Sequence, residues 1–232
     1  MIVSNRNKIT GISRRVSSNQ KRLHEELEKI VNSHIQNDFL KPVAAHTQEA
    51  FEEIDKIVRD SKNIDIILDS GCGTGDSTLL LGQQCPNHLV IGLDKSPIKL
   101  QKTRIKQPRN NVLFVRAEQF DFWRLVARSK WNVRQHYMLY PNPWPKKAHI
   151  KRRIYGHPAF VELPKISKNI VVRSNWEIYV LEFCVAWTLL TREKCYVEQF
   201  VPRQYASLFE KKFHESGHEL YQLVTAKEQR WI

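Results

Sequence analysis

The chain has 232 residues, 41% of them hydrophobic, and its 37 lysines and arginines against 24 aspartates and glutamates give a net charge of +13. This length and hydrophobic content predict one α/β domain with an appendage, and exclude a disordered tail and a disulfide-held mini-protein. The longest apolar stretch, 180–190, contains a glutamate and is shorter than the ~20 residues of a membrane span. Because residues 1–8 also lack the apolar run of a secretory signal, we expect a cytoplasmic protein that does not enter a membrane.

Two short segments hold most of the excess positive charge. Residues 1–24 carry six basic residues and 146–153 carry five, and neither segment has an acidic residue. Because neutralised phosphates release condensed counterions, such clusters favour a nucleic-acid partner, although a solvated tail and a solvated loop are alternative interpretations. The basic residues are Arg6, Lys8, Arg14, Arg15, Lys21 and Arg22 in the first segment, and Lys146, Lys147, Lys151, Arg152 and Arg153 in the second.

The N-terminal part of the chain predicts an arm followed by two helices. Residues 1–19 are polar and basic, which is typical of a mobile arm. Apolar residues then recur at helical spacing over 20–34 and over 48–58, with Pro42 between the two segments. We therefore divide the chain into a basic arm and helix at 1–45 and a main domain at 46–232.

The main domain alternates short apolar runs with helical patterns, which predicts parallel strands wrapped by helices. The final third adds a helix, a strand, a short helix and a closing strand, and the two strands favour an antiparallel edge hairpin. The five apolar runs are 64–68, 89–93, 112–115, 137–140 and 170–172, and the final elements are predicted at 177–191, 195–201, 205–213 and 219–224.

The four cysteines, at 72, 85, 184 and 195, match no zinc-binding spacing, and no metal site is expected. We expect all four to be small buried hydrophobic side chains. Cys72 lies inside a glycine-rich turn, where filling the available space is a better interpretation than acting as a nucleophile.

The glycine-rich turn spans residues 69–76 and reads Asp-Ser-Gly-Cys-Gly-Thr-Gly-Asp. Glycines let the backbone turn sharply and let a nucleotide-like ligand approach closely. A dinucleotide fingerprint needs glycine at position 76, where this chain has Asp76, so NAD is disfavoured. The turn instead resembles that of S-adenosylmethionine-dependent methyltransferases, which implies that Asp69, Gly71, Gly73 and Gly75 contact S-adenosylmethionine.

Two more acids follow predicted strands. Asp94 ends the second strand, where its carboxylate can accept both ribose hydroxyls of the cofactor through charge-assisted hydrogen bonds. Glu118 follows the third strand and could accept from the adenine amino group.

The fourth predicted strand continues as Tyr-Pro-Asn-Pro-Trp-Pro-Lys-Lys-Ala-His-Ile-Lys-Arg-Arg over 140–153, and the prolines make this exit rigid. This segment resembles the F-P-D-P-W-x-K-x-x-H-x-K-R-R motif of the tRNA (guanine-N7)-methyltransferase family. Residues 174–179 are similar to the family's T-D-W-x-x-Y, and 207–210 with Gly217 are similar to its T-K-F-E and following glycine. The resemblance covers roughly residues 48–225.

The resemblance implies a Rossmann-like seven-stranded methyltransferase sheet, mostly parallel with an antiparallel edge hairpin, with helices on both faces and an N-terminal helical extension. It also implies S-adenosylmethionine as cofactor, tRNA as partner and a variable-loop guanosine as target. The implied catalytic residues are Asn142, Asn175 and Glu210, and the implied substrate-binding residues are Trp144, Lys146, Lys147, Lys151, Arg152, Arg153, Trp176 and Ser207.

The chain departs from the family pattern at three of these positions. Asn142 and Asn175 replace the usual aspartates, and Ser207 replaces threonine. Guanine N7 carries a lone pair and needs no general base, so neutral acceptors should slow the reaction without abolishing it. His149 is assigned no proton transfer.

Two alternatives stay open. Asn142-Pro143-Trp144 is similar to the N-P-P-aromatic loop of amino-methyltransferases, with one proline missing, so another base could be the target. The chain could also be a tRNA-binding protein that keeps the fold and has reduced or lost catalysis. The sequence does not decide between a monomer and a homodimer.

Overall fold

The computed structural model describes residues 13–61, 64–104, 109–226 and 232. Within these residues, seven strands form one sheet in the order β3-β2-β1-β4-β5-β7-β6. The strands are β1 Asp65–Ser70, β2 Leu89–Asp94, β3 Val112–Arg116, β4 Asn132–Leu139, β5 Ile170–Ser174, β6 Tyr196–Phe200 and β7 Leu220–Val224. The helices are α1 Leu27–Gln36, α2 Ala45–Asp60, α3 Asp76–Gln84, α4 Pro97–Arg104, α5 Gln119–Val126, α6 Leu163–Ile166, α7 Glu177–Thr191 and α8 Leu208–Glu215.

The sheet has the predicted mixture of parallel and antiparallel pairs. Strands β1 to β5 pair in parallel, and β7 pairs antiparallel with both β5 and β6. Ile66, Ile67 and Leu68 on β1 are fully buried, as expected for a central strand covered on both faces. The predicted seven-stranded sheet, mostly parallel with antiparallel strands at one edge, is therefore confirmed.

The segment 13–24 is ordered against the main domain, so the prediction of a mobile arm is wrong for residues 13–19. The Ser13 N–H donates to Ser216 Oγ at 2.9 Å, and an Arg15 guanidinium N–H donates to the Gly217 carbonyl at 3.1 Å. These partners lie about 200 positions away in the sequence, which local composition does not reveal. Arg6 and Lys8 lie outside the described residues.

Helix α1 packs against α7 of the main domain and does not form a separate unit. Leu27, Ile30 and Val31 belong to the same core cluster as Phe183 of α7. Helix α1 therefore shares one hydrophobic core with the main domain, and the division expected at residue 45 stays a prediction. Within the described residues, no helix is long and apolar enough to cross a membrane.

Short 3₁₀ helices at Lys147–Arg152, Ile154–Gly156 and Pro158–Glu162 lie between β4 and β5, in a region for which the sequence predicts no helix. Each 3₁₀ turn forms hydrogen bonds over three residues, so it leaves no extended apolar periodicity for a sequence pattern to show. These turns decide which side chains of the basic segment face inward.

Two cysteines form a disulfide, which corrects the expectation that all four are small buried hydrophobic side chains. Cys184 near the middle of α7 and Cys195 just before β6 have Cα atoms 5.8 Å apart and are bonded. The left-handed turn at Arg192 reverses the chain after α7 and brings the two together. Cys72 and Cys85 are free and buried.

Candidate active site

The predicted cofactor residues meet at the carboxyl edge of the sheet, where open α/β sheets place their ligands. Gly71, Gly73 and Gly75 have φ angles of +78°, +59° and +78°, which side chains with a Cβ rarely adopt. A Cβ added to Gly73 would meet no atom within 4 Å, so a ligand can approach the backbone there.

The predicted cofactor contact of Gly75 needs correction, because Gly75 packs inside the protein. A Cβ at this position would lie 2.6 Å from the Phe114 ring and 2.8 Å from the Thr103 methyl group. Gly75 therefore lets the start of α3 approach β3 and α4, and does not open toward a ligand on that side. The predicted cofactor contact of Gly71 and Gly73 stays a prediction.

Asp94 ties the glycine turn to the end of β2. Its Oδ2 accepts the Gly73 N–H at 3.1 Å and its Oδ1 accepts the Ser96 N–H at 2.8 Å. Lys99 Nζ is 3.5 Å from Oδ2. A carboxylate has about four acceptor positions, so backbone bonding leaves room for two hydroxyl donors.

Asp69 is almost fully buried under the glycine turn. Its Oδ2 accepts the hydroxyls of Ser77 and Thr78 at 2.6 and 2.7 Å, while its Oδ1 has no hydrogen-bond partner among the described residues. Burial raises the pKa of Asp69 to about 6, because the charged form loses its hydration. A buried acceptor without a partner, beside the open Gly73, fits the polar amino acid tail of S-adenosylmethionine.

Cys72 and Glu118 occupy opposite environments in this region. Burial raises the pKa of the Cys72 thiol well above its usual value, and the nearby Asp69 and Asp94 raise it further, so Cys72 is not a poised nucleophile. Glu118 is exposed at the start of α5, with its N–H donating to Thr47 Oγ1 at 3.0 Å. Its predicted contact with adenine stays a prediction.

The segment after β4, residues 140–146, is strained at both ends. Tyr140 and Trp144 have φ angles of +52° and +45°, which are uncommon for aromatic residues and cost about 1–3 kcal/mol each. Between them, the Asn142 side chain is exposed and its Oδ1 accepts the Trp144 N–H at 3.4 Å. We call this segment the substrate loop, after the role that the sequence predicts for it.

A buried ion pair holds the first end of the substrate loop. Glu210 is fully buried and accepts from Arg173 at 3.0 Å, from the Tyr140 hydroxyl at 2.8 Å and from the Ala206 N–H at 2.9 Å. The prediction that Glu210 faces the target base needs correction, because its oxygens bond buried donors. Glu210 positions Tyr140 through this hydrogen bond. Burial of the Tyr140 side chain raises the pKa of its hydroxyl, and the charge of Glu210 raises it further.

A second buried ion pair holds the other end of the substrate loop. Arg153 and Glu182 are both fully buried, and Arg153 NH1 lies 2.5 Å from Glu182 Oε2. Arg153 Nε also donates to the Trp144 carbonyl at 3.2 Å. The prediction that Arg153 contacts phosphate therefore needs correction, since its guanidinium has no access to solvent. Glu182 also accepts from Gln20 and from the His24 N–H, which anchors the N-terminal segment.

The other basic residues of the segment 146–153 lie at the surface. Lys146, Lys151 and Arg152 are exposed, and the Arg152 guanidinium lies 4.8 Å from the centre of the half-buried Trp144 ring. Lys147 Nζ bonds Glu25 at 2.8 Å. The Lys147 N–H donates to the Asn19 side chain at 3.3 Å, so the two basic segments adjoin each other.

Three other predicted residues have specific structural partners. Trp176 is buried in the core with the Arg153 guanidinium 4.9 Å from its ring centre, so the expected stacking on a base needs correction. Ser207 caps α8 by accepting the Glu210 N–H at 3.1 Å. Asn175 follows β5 and bonds His218 at 3.0 Å.

Sequence reasoning missed the residues that hold the substrate loop. Glu182 interrupts the longest apolar stretch of the chain, and a charge in such a stretch indicates a buried partner. Arg173 similarly lies within a buried strand. Neither signal identifies the partner, because each ion pair joins distant segments.

The protein-family model Methyltransf_4, described as "Putative methyltransferase", matches residues 63–223. The chain belongs to this methyltransferase family. The resemblance to the tRNA (guanine-N7)-methyltransferase family is confirmed, together with the prediction that the chain is an enzyme.

Three comparisons show how this methyltransferase relates to known proteins. The tRNA (guanine-N(7)-)-methyltransferase of Chlorobium phaeobacteroides is 23% identical over 200 residues, 82% of this chain and 93% of that protein. The trans-aconitate 2-methyltransferase of Escherichia coli O1:K1 / APEC is 36% identical over 89 residues, 35% of this chain and 34% of that protein. A solved antibiotic-related methyltransferase has 16% identity and a TM-score of 0.51, covering 79% of this chain and 95% of that one, which supports the fold.

Proposed function

We propose that the protein is an S-adenosylmethionine-dependent tRNA methyltransferase that modifies N7 of a guanosine in the tRNA variable loop. The extent of the sequence match carries this proposal. The chain aligns with 93% of a tRNA (guanine-N(7)-)-methyltransferase, whereas its match to a small-molecule methyltransferase covers 34% of that relative.

The residues around the glycine turn suit this cofactor. S-adenosylmethionine supplies an electrophilic methyl group on a sulfonium. Asp94 would accept the ribose hydroxyls with the acceptor positions that Gly73 and Ser96 leave open. Asp69 Oδ1, buried without a partner among the described residues, would accept from the amino group of the amino acid tail.

The substrate loop would position the target base. Guanine N7 attacks with its own lone pair, so the protein must chiefly orient the base, and orientation can supply up to ~7–11 kcal/mol of the barrier. Asn142 and Asn175 would accept from the ring N–H and the amino group of guanine. Amide acceptors form weaker bonds here than the family's carboxylates.

Exposed cations beside the substrate loop would bind the tRNA phosphates. Lys146 precedes the first 3₁₀ helix, which carries Lys151 and Arg152. Arg14 and Arg15 are exposed on the N-terminal segment that adjoins this helix. The two basic segments, distant in sequence, thus contribute to one region, as a folded RNA requires.

Transfer of label tests the proposal. We expect a tritiated methyl group to pass from S-adenosylmethionine to unmodified tRNA with wild-type protein and not with Asp94→Ala. Cofactor binding with no transfer would favour the tRNA-binding alternative.

The reaction would place the protein in the cytoplasm, although disulfides are uncommon there. Thiol titration of protein denatured directly from cells tests whether the disulfide is present there. Two thiols are expected if Cys184 and Cys195 are bonded, and four if they are reduced.

A further inference from the structure

His218 connects Asn175 to the N-terminal segment. Asn175 Nδ2 is 3.0 Å from His218 Nδ1, and His218 Nε2 is 2.9 Å from the Ser13 carbonyl oxygen. The imidazole is buried and stacks on Phe213, with ring centres 5.3 Å apart and planes inclined by 17°. Both ring nitrogens therefore have a fixed partner.

These partners determine the tautomer of a neutral His218. The Ser13 carbonyl can only accept, so Nε2 must carry the ring proton and donate. Nδ1 then has a lone pair, and only an N–H group of Asn175 can bond it. The orientation of the Asn175 amide follows, with its nitrogen toward His218 and its oxygen directed elsewhere.

We propose that His218 is a positioning residue that orients Asn175 so that Oδ1 is available to accept a hydrogen bond from the target base. This inference rests on the proposed function. It explains one departure from the family pattern, because an aspartate at 175 would face the lone pair of a neutral His218. Asn175 and His218 are thus a matched pair that keeps an acceptor at this position without its negative charge.

Two substitutions at 218 separate this role from a packing role. His218→Phe keeps a ring to stack on Phe213 but removes the acceptor for Asn175, and we expect kcat/KM for tRNA methylation to fall about tenfold. His218→Asn loses the stacking but offers Oδ1 as an acceptor, and should stay within about threefold of wild type. A packing role predicts the reverse ranking, which would overturn the proposal.

Controls show whether the effect passes through Asn175. His214→Phe makes the same change on the neighbouring helix, where the imidazole bonds Tyr205, and should leave kcat/KM unchanged. Adding His218→Phe to Asn175→Ala should cause no further loss, because the amide to be oriented is already absent. Multiplicative losses in the double variant would overturn the proposal. Calorimetry should show the same S-adenosylmethionine affinity for all these variants.

Nuclear magnetic resonance tests the hydrogen-bond arrangement independently of activity. In the full chain at neutral pH, long-range ¹H–¹⁵N spectra should show His218 as the neutral Nε2–H tautomer, with its signals assigned by their absence from His218→Phe. An Nδ1–H tautomer or an imidazolium would overturn the proposal. If the tautomer is as expected but wild-type protein methylates no tRNA, the proposed function fails and the positioning role toward that base fails with it.

Discussion

Asp94 is the acceptor on which the proposed cofactor site depends most. Its carboxylate already holds the glycine turn through the Gly73 N–H, so its removal loosens the turn and eliminates the ribose acceptor. We predict that Asp94→Ala weakens S-adenosylmethionine binding at least about tenfold in calorimetry, given ~1.5–3 kcal/mol for a charged hydrogen bond. Lys99→Ala, which removes the cation 3.5 Å from Oδ2, is the matched control and should change affinity less than about threefold. An unchanged dissociation constant for Asp94→Ala would show that the cofactor lies elsewhere.

Asn142 is the exposed residue that most directly tests the assignment of the target base. Asn142→Asp keeps an oxygen for the Trp144 N–H and adds the charge that the family usually has. We predict a faster reaction at guanine N7, by about tenfold for each ~1.4 kcal/mol of additional transition-state stabilisation. Asn110→Asp, in an exposed turn, is the control. A slower reaction with unchanged cofactor affinity would point to a different base.

Sequence alone predicts Asp69, Gly73 and Asp94 at the proper edge because parallel strands bring their carboxyl ends together. The sequence gives the wrong environment for Arg153 and Glu210, because each belongs to a motif that also contains exposed residues. Composition shows that a segment is basic but not which side chain faces inward. That is decided by the 3₁₀ turns and by a distant partner, Glu182.

Two buried ion pairs hold the substrate loop at both ends. Arg173 with Glu210 secures Tyr140, and Arg153 with Glu182 secures Trp144. Removing one member of a buried pair leaves the other charge without compensation, which is far more costly than losing a surface charge.

Neighbouring arginines should therefore respond differently to the same substitution. We predict that Arg153→Ala lowers the free energy of unfolding by about 3–5 kcal/mol, whereas Arg152→Ala, which loses an exposed contact with the Trp144 ring, lowers it by no more than about 1 kcal/mol. Arg152→Ala should instead reduce the magnitude of the log-affinity against log-salt slope for tRNA by about 1. Urea unfolding and binding titrations at several salt concentrations measure both effects. Equal stability of the two variants would contradict the assignment of Arg153 to the buried pair.

Strands β1, β2, β3 and β5 and helix α7 follow from apolar runs because burial selects those residues directly. The first half of β4 and the exposed β6 carry polar residues that form no such run. The N-terminal segment could not be predicted in the same way. Its order comes from hydrogen bonds to Glu182 and to the loop at Ser216 and Gly217, and a polar sequence gives no sign of such distant partners.

For the whole molecule, two buried groups give stability opposite dependences on pH. Burial lowers the pKa of His136 from 6.5 to about 3, so its contribution is complete above pH 6.5 and is lost as pH falls toward 3. Burial raises the pKa of Asp69 from 3.8 to about 6, so the folded state holds that proton more tightly and stability increases as pH falls from 6 toward 4. The two effects oppose each other in the wild-type protein.

Replacing His136 should remove the first of these two pH effects and leave the second. We predict that His136→Phe gains stability relative to wild type by up to ~1.4 kcal/mol for each pH unit below 6.5. Ser70 loses its hydrogen bond with His136 in the variant, which adds an offset that does not vary with pH over this range. Urea unfolding at pH 7.5, 6 and 5 measures the difference, and a constant difference would show that the buried imidazole does not control acid stability.

Identification of the nucleoside that carries the new methyl group tests the proposed guanine N7 methylation. Wild-type protein is incubated with S-adenosylmethionine carrying a deuterated methyl group and with unmodified tRNA, which is then digested to nucleosides and analysed by mass spectrometry. We expect deuterated 7-methylguanosine, located in the variable loop by nuclease mapping and absent with Asp94→Ala. A labelled methyl group on any other nucleoside, or labelled product at the same level with Asp94→Ala, would contradict it.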